Sequence, residues 1–306
     1  MTAIEQKSVS TAAWAQLILL GLIWGASFLS IRIALDEVGA FTSVMHRCLW
    51  AMILLWGVVI FTGQTLPRDA RTWAALLFMG VLNNVLPFSL MAWGQLHIES
   101  GLTAIFNSFT AVFGVVVAAI VFADEKLTAR KSVGVAFGVA GVIAAKGLDN
   151  LAHIDLRSLG QLAVLAGTLC YAMAGSFARA NLSGLSPLVA SAGMLTGSTL
   201  VMIPLAWGVD GMPSLALEPR TWMAIGYYSL IGTAGAYLLY YSILAKAGSG
   251  NLMLVTLMLV PVAILLGHLV LGEVLLPRHF IGFGFIATGL IVIDGRLIRA
   301  IRRIGV

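Results

Sequence analysis

Charge is scarce in this chain of 306 residues: Asp, Glu, Lys and Arg make up 10% of it, against 60% hydrophobic residues. A water-soluble domain carries about 25% charged residues and about half apolar ones, so that class is excluded. Cysteine is almost absent. Cys48 and Cys170 both lie inside apolar runs, which excludes a disulfide framework. There is no H-E-x-x-H, no closely spaced pair of aspartates within an apolar run and no Cys/His cluster, and the five histidines (His46, His97, His153, His268 and His279) are scattered. An intramembrane enzyme needs a nucleophile with its base, a metal cluster or paired carboxylates; hence no catalytic residues, no metal and no cofactor are expected. Acidic side chains are also missing from the middles of the apolar runs. All 13 Asp and Glu residues fall in connections, tails or run ends. No cleavable leader is expected, because the run beginning near Trp14 continues past Gly25 without a cleavage site.

What is present is a series of runs, each about 20 residues long, enough to cross a hydrocarbon core about 30 Å thick. Backbone groups in such runs must bond internally, so they form helices or a closed barrel. The runs are continuous and lack ten-residue alternation, which selects helices. Ten spans are expected at 14–35, 41–62, 72–95, 100–122, 130–147, 159–180, 187–209, 221–243, 250–272 and 279–298. The net charge of +5 then reports orientation in a bilayer and calls for no nucleic-acid partner. With ten spans and almost no extramembrane domain, a scaffold or receptor has little to work with; the expected partners are the lipid bilayer and a small-molecule substrate, for a monomer or homodimer.

One stretch occurs twice. Ser100 to Leu127 reads SGLTAIFNSFTAVFGVVVAAIVFADEKL, and Gly248 to Leu275 reads GSGNLMLVTLMLVPVAILLGHLVLGEVL. In this register Glu125 falls on Glu273, Gly134 on Gly282, Phe137 on Phe285 and Gly141 on Gly289. The chain divides into a first five-helix repeat over 1–148, a polar linker over 149–158, and a second repeat with a basic tail over 159–306. Cations fall mainly on one side (Lys7, Arg68, Arg71, Lys126, Arg130, Lys131, Arg179, Lys246, Arg296, Arg299, Arg302, Arg303) and less on the other (Arg32, Arg47, Lys146, Arg157, Arg220, Arg278), which puts both termini in the cytoplasm. Five is odd, so the second repeat enters the membrane from the opposite side. The fold class expected is an all-α membrane protein of two inverted five-helix repeats, a signature of alternating-access transporters with a site near the midplane.

The chain resembles the drug/metabolite transporter superfamily in its form with two EamA-type halves. The resemblance rests on Leu22-Ile23-Trp24-Gly25-Ala26-Ser27-Phe28 in the first span, the small-residue turn before the fourth, and Glu125 and Glu273 after the fourth and ninth. Within that superfamily the chain looks most like the YddG-type bacterial exporters of aromatic and other neutral amino acids. The resemblance implies an inner-membrane exporter of small neutral amphiphilic metabolites. The alternative is a multidrug or other metabolite exporter of the same superfamily; its lipophilic-cation antiporters use an acid in the first helix, and Trp24 to Arg32 contains none.

Polar and aromatic residues inside spans point to a path, since polar groups in hydrocarbon face a bundle interior or a cavity. The substrate-binding candidates are Trp24, Ser27, Asn83, Asn84, Phe106, Asn107, Thr110, Tyr171, Tyr237 and Met258, with Pro87 and Pro261 as hinges. Asn107, Thr110 and Gly114 share a helix face at i, i+3 and i+7. Pro87 should kink the third span and free a carbonyl near the amides. Against these stand plainer readings: Ser27, Ser176 and Thr233 as packing residues, the amides as helix–helix hydrogen bonds, and Tyr227, Tyr228, Tyr240 and Tyr241 as an interfacial belt. His268 is expected deep in a span and bonded to a neighbouring helix. Glu125 and Glu273 are expected to be solvated helix ends bonded to the adjacent loop. A proton-driven carrier usually holds a carboxylate in its path. Glu99 and Asp294 come closest here and neither is mid-span, so the expected mode is facilitated export down the substrate gradient.

Overall fold

The computed structural model describes residues 11–123, 127–146, 156–182, 184–247 and 255–295. They form ten helical rods: α1 (Thr11–Ala34), α2 (Ala40–Phe61), α3 (Ala70–Gly94), α4 (Ser100–Val121), α5 (Ala129–Lys146), α6 (Leu156–Asn181), α7 (Pro187–Val209), α8 (Pro219–Gly226, Tyr227–Gly235 and Ala236–Ala247 in sequence), α9 (Val255–Leu271) and α10 (Pro277–Asp294). Six of them, α1 to α4, α6 and α7, are long and apolar enough to cross a membrane; Met258–Leu271 and Pro277–Ile293 are shorter apolar helices.

The rods interleave. α2 packs along α7 and α5 along α10; α1 packs on α9 and α8, and correspondingly α6 packs on α4 and α3. Each pairing recurs with the two halves of the chain exchanged. The α5–α10 contact shows why. A side chain at Gly134 would strike the Gly289 carbonyl, one at Gly289 the Gly134 carbonyl, and Gly141 and Gly282 exclude each other's side chains in the same way. Lower numbers on α5 meet higher numbers on α10, so these helices run antiparallel, each using the glycine pair that the repeat duplicates. In hydrocarbon, close backbone approach at small residues replaces the hydrophobic drive between helices. The same device joins α1 to α9, where Gly21 and Gly25 leave room for Met258 and Val262.

Helix ends are held by carboxylates from afar. Asp210, just past α7, accepts from Thr42 N at 2.7 Å on α2. Glu37 accepts from Glu218 N at 3.1 Å at the head of α8. Glu273, just past α9, accepts from Ser100 N at 2.7 Å, Ser100 Oγ at 2.9 Å and Gly101 N at 3.1 Å at the head of α4. These satisfy orphan amides and match the positive end of each helix dipole. The expectation of a carboxylate bonded to its adjacent loop is therefore corrected for Glu273, which ties the two halves together. Glu125 lies outside the described residues.

Two further corrections follow. His268 sits exposed in the last turn of α9, its Nδ1 3.1 Å from the Glu273 carbonyl oxygen, and so bonds within its own chain segment. Tyr228 is wholly buried, its hydroxyl 3.1 Å from Ser43 Oγ, and Tyr227 donates to the Ile23 carbonyl at 3.2 Å, so neither belongs to an interfacial belt.

Replacing Gly141 with Leu should destabilise the protein by about 1–3 kcal/mol through overpacking. Gly57→Leu, where a side chain meets open space, should leave the melting temperature in detergent nearly unchanged.

Candidate functional site

The third rod of each half departs from α-geometry at corresponding places: Val81–Val85 in α3 and Tyr227–Gly235 in α8 are π-helical. π-segments are uncommon and recur at functional sites. In α3 the cause is legible: Pro87 has no N–H to offer the Asn83 carbonyl one turn earlier, and Leu86 N reaches back to the Val81 carbonyl instead. In α8 no proline lies in or after the π-segment, the rod's Pro219 standing at its first turn. The Thr233 hydroxyl donates to the Tyr228 carbonyl at 2.8 Å, within the π-segment itself.

The two π-segments and α7 bring three of the candidate residues together. Asn83 Nδ2 donates to the Tyr237 hydroxyl at 3.3 Å and lies 3.2 Å from Asn84 Oδ1. The Tyr237 hydroxyl donates to Asn84 Oδ1 at 3.1 Å. Asn84 Nδ2 donates to Ser198 Oγ at 2.8 Å, and that hydroxyl lies 2.9 Å from the Met194 carbonyl oxygen. Asn84 and Ser198 are wholly buried, whereas Asn83 and Tyr237 are half-buried. The chain of bonds thus runs from a sealed end at Ser198 to a partly open end at Asn83. Tyr171 stands nearby on α6, edge-on to Phe88 at 6.3 Å between ring centres, and packs against both of the large apolar clusters.

The other candidates fall elsewhere. Trp24 Nε1 donates to the Gly232 carbonyl at 3.2 Å, and Ser27, which donates to the Ile23 carbonyl at 2.9 Å, fills the space beside Gly232. Both dock α1 on the π-segment of α8. Phe106 is wholly buried in the cluster built by α4, α9 and α10. Asn107 ends the first half of α4, which breaks at Ser108 and Phe109 before resuming at Thr110, and the Thr110 hydroxyl donates to the Asn107 carbonyl at 2.7 Å. The helix face expected to align Asn107, Thr110 and Gly114 is therefore interrupted. Met258 packs against Gly21. Pro261 is exposed within an uninterrupted α9, and Pro87 is buried just past the π-turn.

One residue was placed wrongly from the sequence. Arg47, counted among flanking cations, lies about two turns inside α2. Its Nε donates to Thr233 Oγ1 at 2.9 Å, and its guanidinium carbon lies 3.8 Å from the centre of the Phe88 ring. Only its depth from Ala40 could have flagged it. Glu99 caps α4 and is engaged by Arg157, with Nη2–Oε2 at 2.8 Å, at the end of the rods. Where the α1–α2 and α7–α8 connections meet, a cavity of about 220 Å³ is lined by Ile33, Asp36, Glu37, Glu218, Arg220 and Thr221. Among the described residues no group of three or more His, Cys, Asp or Glu could hold a metal ion.

Residues 11–145 and 158–294 each match the EamA-like transporter family, and the chain belongs to that family. It is a multi-pass membrane transporter, and the family is not one of enzymes. It is 26% identical to a probable terminal-alkyne amino-acid exporter of Streptantibioticus cattleyicolor, over 94% of this chain and 95% of that protein. It is 23% identical to an uncharacterized transporter of Archaeoglobus fulgidus, over 92% and 98% of the two chains. A solved crystal structure superposes with a TM-score of 0.67 over 92% of this chain and 96% of the other, at 15% identity, which speaks to the fold alone.

The two asparagines should behave differently on substitution. Asn84→Leu removes the amide that bonds Ser198 and the Tyr237 hydroxyl and should cost about 1–3 kcal/mol of stability, seen as a lowered melting temperature. Asn83→Leu should leave melting within about 0.5 kcal/mol of wild type while lowering transport in liposomes.

Proposed function

We propose that this protein exports neutral amino acids, aromatic ones included, across a bacterial inner membrane by alternating access. All ten rods cross the bilayer in this reading, as two repeats (1–148 and 159–306, joined by 149–158) inserted in opposite senses with both termini in the cytoplasm. The observation that carries it is the amide–tyrosine chain of Asn83, Asn84 and Tyr237 at the paired π-segments. It offers neutral dipoles for an ammonium group beside aromatic walls for an apolar side chain. Support comes from the exchanged helix pairings, from the antiparallel α5–α10 contact and from the similarity to the probable amino-acid exporter of Streptantibioticus cattleyicolor. The inner-membrane placement draws on the 23%-identical uncharacterized inner membrane transporter YedA of Escherichia coli. A relation to YddG-type exporters fits the same substrate class.

Binding of substrate is assigned to Asn83, Tyr171 and Tyr237 directly, with the buried Asn84 holding Asn83 and Tyr237 in place. Trp24, Ser27, Phe106, Asn107, Thr110 and Met258 form the surrounding frame, and Pro87 and Pro261 are hinges. Facilitated transport follows from Glu99 being paired with Arg157 at a rod end, where it is poorly placed to carry a proton through the path.

Purified protein in liposomes should support counterflow of labelled phenylalanine or leucine with no pH difference imposed. An imposed pH gradient should drive no accumulation. Absence of counterflow for every neutral amino acid, together with transport of an organic cation or sugar, would overturn the reading.

A further inference from the structure

A cation buried in a membrane protein ordinarily pairs with a carboxylate or faces a water-filled cavity. Arg47 has no such pair. The ion pairs among the described residues are Arg32–Asp36 and Arg157–Glu99, and no carboxylate reaches the Arg47 guanidinium. Its Nε is spoken for by Thr233, whose own proton goes to the Tyr228 carbonyl, and one face of the guanidinium is covered by Phe88. These contacts fix the plane of the fork. They leave Nη1 and Nη2 with no acceptor among the described residues, although neither atom is sealed from solvent. Tyr171, edge-on to that same Phe88 ring at 6.3 Å between centres, has a hydroxyl likewise without a hydrogen-bond partner among the described residues. An oriented cation with its paired donors free, next to a free phenol, is suited to a planar bidentate anion.

We propose that Arg47, held by Thr233 and Phe88, is the carboxylate-recognition site of the transport path, with the Tyr171 hydroxyl as an added donor. The inference deepens the proposed function: it assigns the carboxylate end of the substrate to Arg47, and it restricts the path to solutes bearing a carboxylate. Phe88 stands four residues after Asn84 on α3 and Thr233 four residues before Tyr237 on α8, about one turn in each case, so the site adjoins the Asn84–Tyr237–Asn83 chain. Because no acid neutralises Arg47, a substrate's own carboxylate supplies the missing charge, and an organic cation meets repulsion.

The test uses the full chain in liposomes and measures binding of three acids against their amides: phenylalanine and phenylalaninamide, leucine and leucinamide, 3-phenylpropionate and 3-phenylpropionamide. Wild type should bind at least one acid about tenfold or more tightly than its amide. Arg47→Gln should erase that ratio by weakening the acid alone, and Arg47→Lys should keep only part of it, since an ammonium lacks the planar fork. If Arg47→Gln fails to fold, Thr233→Val, which frees Nε and loosens the fork, should lower the acid-to-amide ratio in its place. Equal binding of every acid and its amide by wild type, binding of none of the acids, or an equal loss for acid and amide in the variants would overturn the proposal. An Arg47-dependent preference for 3-phenylpropionate alone would instead uphold the carboxylate site and reject the amino-acid reading.

Discussion

Hydrocarbon offers no hydrogen bonds to a backbone, so each departure from the α-helix must be met by a specific group. That constraint governs this structure. Where α3 and α8 widen into π-turns, Leu86 N bonds the Val81 carbonyl and the Thr233 hydroxyl bonds the Tyr228 carbonyl. Where α4 breaks, Thr110 closes the gap onto Asn107. At the rod ends, Asp210, Glu37 and Glu273 cover amides of helices far away in sequence. The groups that repair the backbone are thus also the groups that connect the halves.

The same economy explains where the polar residues gather. Thr233 both repairs α8 and orients Arg47, and Ser198 both bonds within α7 and receives Asn84. A repair site in a membrane helix is a place where polar atoms are already concentrated and where the helix is less uniform than elsewhere. Paired π-segments in the corresponding helix of each half give the two halves matching weak points on either side of one polar chain. The alternating access proposed above would run its path between the halves at that place.

Much of the architecture was legible in the sequence because the governing signals are local. Run length gave the rods to within a few residues, and the glycines that the repeat duplicates, Gly134 and Gly141 as Gly282 and Gly289, are those that meet in the close α5–α10 contact. Asn83, Asn84 and Tyr237 stood out because unpaired amides and a mid-span phenol are costly in lipid. The rest was hidden for physical reasons. Arg47 reads as a flanking cation until its Thr233 and Phe88 neighbours, each far off in sequence, are seen. Glu273 reads as a helix end facing water, since nothing near it reveals that its partner is Ser100. The break in α4 follows no proline, and the π-segment of α8 has only Gly232, Thr233 and Gly235 to announce it. Phe106 and Met258 carry the chemistry expected of a binding wall, yet they pack inside helix contacts that side-chain type alone does not distinguish.

The central claim is that the Asn83 end of the polar chain lies on a path opening to both sides of the membrane. With Cys48 and Cys170 replaced by serine or alanine and a single cysteine placed at position 83, an impermeant thiol reagent applied separately to right-side-out and inside-out vesicles tests it directly. The account calls for modification from both sides, slowed by a bound carboxylate solute such as phenylalanine. A cysteine at 83 that stays unreactive from both sides, in vesicles that still transport, would contradict it.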